Sequence, residues 1–336
     1  MQKKYSFNDV LLVPQYSDIS TRSNVSVSTS LGKDVNLTLP IISSPMDTVT
    51  SNLMATMMSR NGGMGIVHRY NSPEEQANLV FKAASNSDFV GAAIGVSGDF
   101  VERAVQCRSA GAKVICIDVA HGHHISVKNA IRKLRDRFGD SIHIMAGNVA
   151  TSYGFSALES WGADSIRVGI GGGSICSTRV ETGHGIPTLS SIFDCASVKR
   201  NATLIADGGI RTSGDIVKAI AAGADAVMLG SMIAGTDECP GDFTFIHGKK
   251  VKKYRGMASE EAQLDWRGHY SSSEGVSRLI EYKGSVNKIL QHITRSVKSG
   301  LSYSGCTNIE DFQEVAEFIL QSPSSQIESS THIDKI

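Results

Sequence analysis

Residues Lys113–Ala150 read KVICIDVAHGHHISVKNAIRKLRDRFGDSIHIMAGNVA and contain one complete structural unit. Lys113–Val119 is a continuous apolar run rich in β-branched residues. His124–Phe138 carries amphipathic helical spacing, and Ile142–Ala146 is apolar again. Unalternated apolar strands joined by a helix are parallel strands covered on both faces. The same run recurs in both directions, at Pro40–Ser43, Met64–Val67 and Val90–Val96 before the unit and at Ser165–Ile170, Leu204–Ala206 and Ala226–Leu229 after it. Helical stretches intervene at Val49–Ser59, Pro73–Ala84, Asp99–Ala110, Ser152–Trp161 and Ser213–Ala222. Gly111, Gly162 and Gly223 each stand at a helix-to-strand joint, where a left-handed helix end is expected. Eight such units close most economically into a (β/α)8 TIM barrel. The alternative, an open doubly wound sheet, favours a GxGxxG turn after its first strand, and none occurs there.

The 336 residues hold 33 basic and 33 acidic side chains, a balance unlike that of a protein built on phosphate backbones. Nucleic acid is therefore not expected as a partner. No run of about 18 apolar residues is present, so no membrane-spanning helix is expected. The six cysteines are dispersed without a CxxC pair, which argues against a zinc site or disulfide framework and suits free thiols in the cytoplasm. One catalytic domain is expected over residues 1–321, interrupted after strand 8 by an insertion at 231–275. Within it Lys249–Tyr254 reads as part of a hairpin and Ala258–Ser273 as a mobile loop. The polar tail 322–336 reads as disordered.

Barrel enzymes carry their chemistry at the C-terminal ends of the strands. Here those ends hold Asp118 and His121, Gly147 and Asn148, the run Gly169–Cys176, Asp207-Gly208-Gly209, and Gly230-Ser231. Any one glycine is explained equally well as a turn residue; five consecutive barrel ends are harder to explain so. Small residues after strands 7 and 8 let an anion approach backbone N–H groups, so Gly208, Gly209, Gly230 and Ser231, with Ser174, predict a phosphorylated ligand. FMN and sugar-phosphate barrels share that signature. Asp207 beside it suits a ribose. A lone cysteine is usually a small buried hydrophobe, but Cys176 closes a Gly-rich loop whose amides can stabilise a thiolate. It is a candidate nucleophile, with Thr178 as proton relay and Glu274 as a base at the end of the long loop. His68, Arg69, His121, His123 and His124 lack a carboxylate cluster and are expected to have polar-loop roles.

Gly169–Arg179, GIGGGSICSTR, resembles the active-site cysteine loop of the IMP dehydrogenase/GMP reductase family. The resemblance covers about residues 5–320. It includes FNDVLLVP near the start, Ser43–Val49 (SSPMDTV), Asp118–Gly122 (DVAHG), Gly147–Thr151 (GNVAT), Asp207–Ile210 (DGGI) and Tyr254–Met257 (YRGM, with Gly256). It implies a purine nucleoside monophosphate whose phosphate is held by Ser174, Gly209, Gly230, Ser231 and Tyr254 and whose ribose is held by Asp207. Ser44, Met46 and Met257 would lie near the base. It further implies a nicotinamide cofactor near Asp118, Asn148, Arg167 and Gly169, a K+ site on the carbonyls of Gly171, Gly173 and Cys176, and a homotetramer.

Both family activities use a covalent purine–cysteine adduct. The short link between strands 2 and 3 leaves no room for the CBS modules that dehydrogenases usually insert. Met257 to Glu274 is short, Arg267 and Tyr270 are not adjacent, and Thr182–Ser190 is similar to the reductase TGxGxPxLS. These features imply GMP reductase, with NADPH as cofactor. SSPMDTVT and FNDVLLVP look more like the dehydrogenase, which would use IMP and NAD. Gly172 replaces the usual loop Pro, Val276 replaces a usual Lys, and Ser271 stands where many reductases have an Arg. A nucleotide-binding regulator without turnover is the alternative from another class.

Overall fold

The eight expected runs are all strands of one closed parallel barrel in the computed structural model, which describes residues 2–270 and 273–329. Barrel strands 1 to 8 are Ile41–Ser43, Met64–Val67, Val90–Ile94, Val114–Asp118, His143–Val149, Ser165–Val168, Thr203–Asp207 and Ala226–Leu229. Strand 8 closes on strand 1 through the pairs Val227–Ile41, Met228–Ile42 and Leu229–Ser43. Side chains of Ile42, Met64, Ile66, Val114, Cys116, Met145, Ile205 and Met228 fill the interior, so the barrel is a packed core and not a pore.

One end of this barrel is sealed. Thr29–Ser30 and Asn36–Leu37 form a small hairpin that pushes Leu31, Val35 and Leu37 into the interior cluster. Lys33 at its tip reaches Asp140 at 2.8 Å and Asp164 at 3.1 Å, residues that immediately precede strands 5 and 6. The strands' C-terminal mouth is left as the open end.

Helices Asn52–Arg60, Pro73–Ala84, Phe100–Ser109, Ile125–Phe138, Ser152–Trp161, Thr188–Ala196, Ser213–Ala221 and Val286–Tyr303 cover the barrel. Thr188–Ala196 was not anticipated from periodicity; six of its nine residues are buried, which blurs the polar face that a helical pattern needs. Pro73 at a first helical position and the reciprocal Ser72–Glu75 bonds set one helix start. The chain ends meet: Val10–Leu12 pairs antiparallel with Phe318–Leu320.

Two expectations need correction. The expected hairpin is present, Thr244–Ile246 against Lys249–Arg255, and the latter also pairs with Ser277–Glu281. The expected mobile loop Ala258–Ser273, however, contains the helix Glu260–Arg267, capped by Ser259. Its anchors are remote in sequence: Trp266 stacks on Tyr70 with ring centroids 5.6 Å apart, and Arg255 bridges Asp47 and Asp265, each at 2.5 Å. Pro323–Glu328 is likewise helical, although the tail from Ser322 was expected to be disordered. Residues 330–336, and Ser271, lie outside the described residues.

Helix Asn52–Arg60 lies directly on strand 2, where a β-carbon on Gly65 would stand 2.4 Å from the Ala55 Cα. Both contacts are backbone-borne, so neither can turn aside. Gly65→Ala is expected to lower the unfolding free energy by roughly 1–3 kcal/mol or more, read as a lower urea midpoint at unchanged m-value. An unchanged midpoint would mean the helix can shift off the strand.

Candidate active site

Every residue singled out from the sequence as catalytic, nucleotide-binding, cofactor-binding or cation-binding lines one cavity of about 520 Å3 at the open mouth, a size ordinary for small-ligand sites. Three groups of residues build it.

The first is a charged centre. Arg167, on strand 6 and only 6% exposed, donates to Asp118 Oδ1 at 2.7 Å and to Asp207 Oδ2 at 2.8 Å. Burial alone would lower its pKa, but the two carboxylates more than offset this and raise it. Asn148 adds a donor to Asp207 Oδ2 at 2.9 Å and a second to the Gly169 carbonyl at 2.8 Å. Asp207 is thus fixed through one oxygen, leaving Oδ1 for a ligand. Arg167, expected beside the cofactor, has its guanidinium occupied by these two carboxylates and acts here by positioning them.

The second is a cradle. Gly208 and Gly209 both adopt left-handed backbone, with φ +88° and +80°, a conformation that suits glycine. Gly208 packs so tightly on the cysteine loop that its β-carbon would lie 3.2 Å from the Gly173 nitrogen. Across the hollow, a β-carbon on Gly230 would lie 2.9 Å from the Tyr254 hydroxyl and 3.2 Å from Ser44 Oγ. Ser44 and Tyr254 thus both face Gly230. Burial pushes the Tyr254 hydroxyl up to about 12, so it stays a neutral donor, and it hydrogen-bonds Ser174. Lys283 donates to the Ser231 carbonyl at 2.6 Å and holds that turn.

The third is a thiol joined through a hydroxyl to a carboxylate. Cys176 is an exposed free thiol, whereas Cys107, Cys116, Cys195, Cys239 and Cys306 are buried. Its Sγ donates to Thr178 Oγ1 at 3.2 Å, and Thr178 Oγ1 donates to Glu274 Oε2 at 2.8 Å. Glu274 reaches this place by backbone pairing: Ser177 N donates to the Glu274 carbonyl at 2.9 Å, and Val276 N to the Ile175 carbonyl at 3.0 Å. Gly256 and Gly275 permit that approach, with Cβ-to-Cα room of only 3.3 Å between them.

The histidines take the bland reading. His124 caps helix Ile125–Phe138 by accepting from Ser126 N, and among the described residues no group of His, Cys, Asp and Glu could hold a metal ion. The K+ expectation rests on carbonyls of one loop. Gly173 O already accepts Cys176 N at 3.1 Å. The Arg179 side chain covers Gly171, whose β-carbon would stand 2.8 Å from Nε. The carbonyls of Gly171, Gly173 and Cys176 all belong to this one loop, and no step below runs through a cation. Arg69, Tyr70 and Thr188 also line the cavity without having been given a site role. Their signal was present only as adjacency to strand 2 and within Thr182–Ser190.

A closed parallel barrel whose open mouth gathers an exposed thiol, a carboxylate and a glycine-lined hollow in one cavity has the build of a barrel enzyme. The IMP dehydrogenase / GMP reductase domain model matches residues 4–332, and the chain belongs to that family of oxidoreductases that use nicotinamide cofactors. It is 36% identical to the inosine-5'-monophosphate dehydrogenase of Cryptosporidium parvum, covering 98% of this chain and 95% of that protein. With the Nitrosopumilus maritimus inosine-5'-monophosphate dehydrogenase it shares 33% identity over 97% of this chain and 98% of the other. A solved GMP reductase variant from Trypanosoma brucei, in complex with guanosine 5'-monophosphate, superposes with a TM-score of 0.94 at 30% identity, covering 100% of this chain and 99% of that one.

Replacing Arg167 leaves two part-buried carboxylates without their shared donor. Arg167→Met is expected to cost roughly 3–5 kcal/mol, read as a lower urea midpoint at unchanged m-value. An unchanged midpoint would show that the two carboxylates hold their places without the arginine.

Proposed function

We propose that this protein is a GMP reductase, converting GMP to IMP and ammonia through a covalent Cys176–purine adduct, with NADPH as reductant. The observation that carries the reading is the connected line Cys176–Thr178–Glu274. The thiol proton passes to Thr178 as the Thr178 proton passes to Glu274, and the thiolate attacks C2 of the purine. Glu274, now protonated, returns that proton through Thr178 to the exocyclic amine as the C2–N bond breaks and ammonia leaves. The phosphate of GMP lies in the cradle of Ser174, Gly208, Gly209, Gly230, Ser231 and Tyr254, and Asp207 Oδ1 accepts from the ribose. Met46, Gly256 and Met257 bound the base.

The cavity residues suit a nicotinamide. Asp118 carries a fixed charge, and the buried Nε–H of Arg69, 3.8 Å from Asp118 Oδ2, has no hydrogen-bond partner within the protein. Asp118, Asn148, Gly169 and Arg69 would hold the cofactor, Arg167 fixing Asp118 from behind. When bound it supplies the hydride that resolves the adduct at C2. Cys176 would then leave as thiolate, and one proton taken up from solvent would restore the thiol for the next turnover.

A second reading, IMP dehydrogenase, is favoured by the names of the relatives at 33% and 36% identity. The same alignments extend over 465 and 385 residues against a chain of 336, so those relatives carry segments absent here. Dehydrogenation needs a water-activating group, and the short link between Met257 and Glu274 limits where one can stand. A homotetramer in the cytoplasm is part of the same proposal; among the described residues no helix is long and apolar enough to cross a membrane.

Two parallel reactions decide between them, GMP with NADPH and IMP with NAD, each followed by nicotinamide absorbance. Loss of absorbance in the first alone, with IMP and ammonia formed, is expected. A rise in the second alone, with XMP formed, would establish the dehydrogenase, and silence in both would leave a nucleotide-binding protein. Cys176→Ser should keep nucleotide affinity within a few-fold while losing nearly all turnover; normal rates would remove the covalent route. Glu274→Gln should slow ammonia release by about 10²–10⁴-fold with little effect on binding, and an unchanged rate would remove Glu274 from proton transfer.

A further inference from the structure

Thr188 opens helix Thr188–Ala196, whose start lies at the open mouth. The residue is 4% exposed, and its buried Oγ1 has no hydrogen-bond partner in the protein. A hydroxyl removed from water without a partner costs free energy, so one that persists beside a cavity awaits a ligand. Its surroundings say which. A β-carbon on Gly172 would stand 2.6 Å from Oγ1 and one on Gly209 would stand 3.2 Å away. The hydroxyl thus enters the crevice between the cysteine loop and the Gly208–Gly209 turn, the two walls of the anion cradle. The helix start adds to this. The Ser190 amide is taken by the Tyr5 carbonyl and the Ser191 amide by that of Pro187, so, of the helix's first amides, those of Thr188 and Leu189 are left without an acceptor among the described residues, and a helix N-terminus favours anions.

We infer that Thr188, with the start of its helix, is a further arm of the cradle and donates its hydroxyl to a phosphate oxygen of the purine nucleoside monophosphate. The inference rests on the proposed reading of the cavity as a nucleotide site, and it specifies phosphate recognition within it. A phosphate oxygen could equally come from the pyrophosphate of a dinucleotide cofactor. The crevice borders Gly209, a cradle residue, which favours the monophosphate.

The test uses Thr188→Val, which exchanges the hydroxyl for a methyl of similar size, and Thr188→Ser, which keeps it. Thermal midpoints of the full chain are read alone and with GMP, guanosine, NADPH or inorganic phosphate, and dissociation constants are read by calorimetry. Because the lost hydroxyl is unpartnered in the free protein, the free Thr188→Val protein should unfold at the wild-type temperature or higher. GMP and inorganic phosphate should bind it about tenfold more weakly, with smaller midpoint shifts, while guanosine is unaffected. Serine should restore both phosphate-dependent values. A structural role predicts the reverse, a lower midpoint for the free variant with unchanged GMP affinity, and that result overturns the proposal. Weakening confined to NADPH would assign the hydroxyl to the cofactor and also overturn it. If Thr188 governs phosphate and GMP affinity but neither reaction turns over, the catalytic reading fails and this one stands.

Discussion

The cationic guanidinium of Arg167, buried between Asp118 and Asp207, is the constraint around which the mouth of the barrel is arranged. A charge there is unfavourable unless paired and hydrogen-bonded, and two carboxylates alone at that depth would repel or take up protons. Together with Asn148 they make a network whose main donors are all used. Its usefulness lies in what it leaves over: Asp207 Oδ1 and the outer edge of Asp118, two fixed acceptors on opposite sides of one arginine. A nucleotide ribose and a cofactor can each meet a carboxylate that is already oriented, so little ordering remains for binding to supply. Strands 4, 6 and 7 provide one member each, and the barrel's closure sets their spacing.

Nucleophile and base are brought together by a different device, backbone pairing between segments about a hundred residues apart. The return segment of the insertion runs antiparallel to the cysteine loop at Cys176 and Gly275. The carboxylate of Glu274 is thereby delivered to Thr178 without relying on a long mobile side chain. The helix Glu260–Arg267 belongs to this device, because Trp266 on Tyr70 and Asp265 on Arg255 hold the outer part of the insertion against the body. Tyr70 also donates to the Met257 carbonyl at 2.5 Å. A single aromatic residue after strand 2 therefore touches both the floor and the lid of the site.

The barrel was legible in the sequence because each strand is buried on both faces, so apolar continuity marks it without any knowledge of its neighbours. The residues that line the mouth were legible because glycines, a cysteine and acidic residues gather at strand ends that the fold brings to one cavity. What escaped depends on distant partners. Glu260–Arg267 is only two turns long, below the length at which a helix is stable by itself, and Tyr70 and Arg255 that anchor it announce nothing locally. The strand Phe318–Leu320 exists only because Val10–Leu12 lies beside it. Thr188–Ala196 is buried nearly all round, and the hydroxyl that opens it becomes notable only when its lack of a partner is known. Arg167 was expected near the cofactor on the family resemblance alone; its burial between two carboxylates cannot be seen in one dimension.

Within one family this cavity has to serve either of two reactions, and the difference between them is where a proton goes. Amine loss needs a proton delivered to nitrogen, and the relay to Glu274 stores one within hydrogen-bond reach of the sulfur that forms the adduct. Water attack on the adduct needs a proton removed from a molecule that must first be admitted and oriented. On the proposed reading, a relay already connected to the thiol, beneath an insertion pinned by an aromatic stack and an ion pair, serves the first task rather than the second. The discriminating element would then be the outer insertion rather than the cysteine loop. The loop, the cradle and the Arg167 network suit both reactions, and the residues between Met257 and Glu274 are where a water-activating group would have to stand.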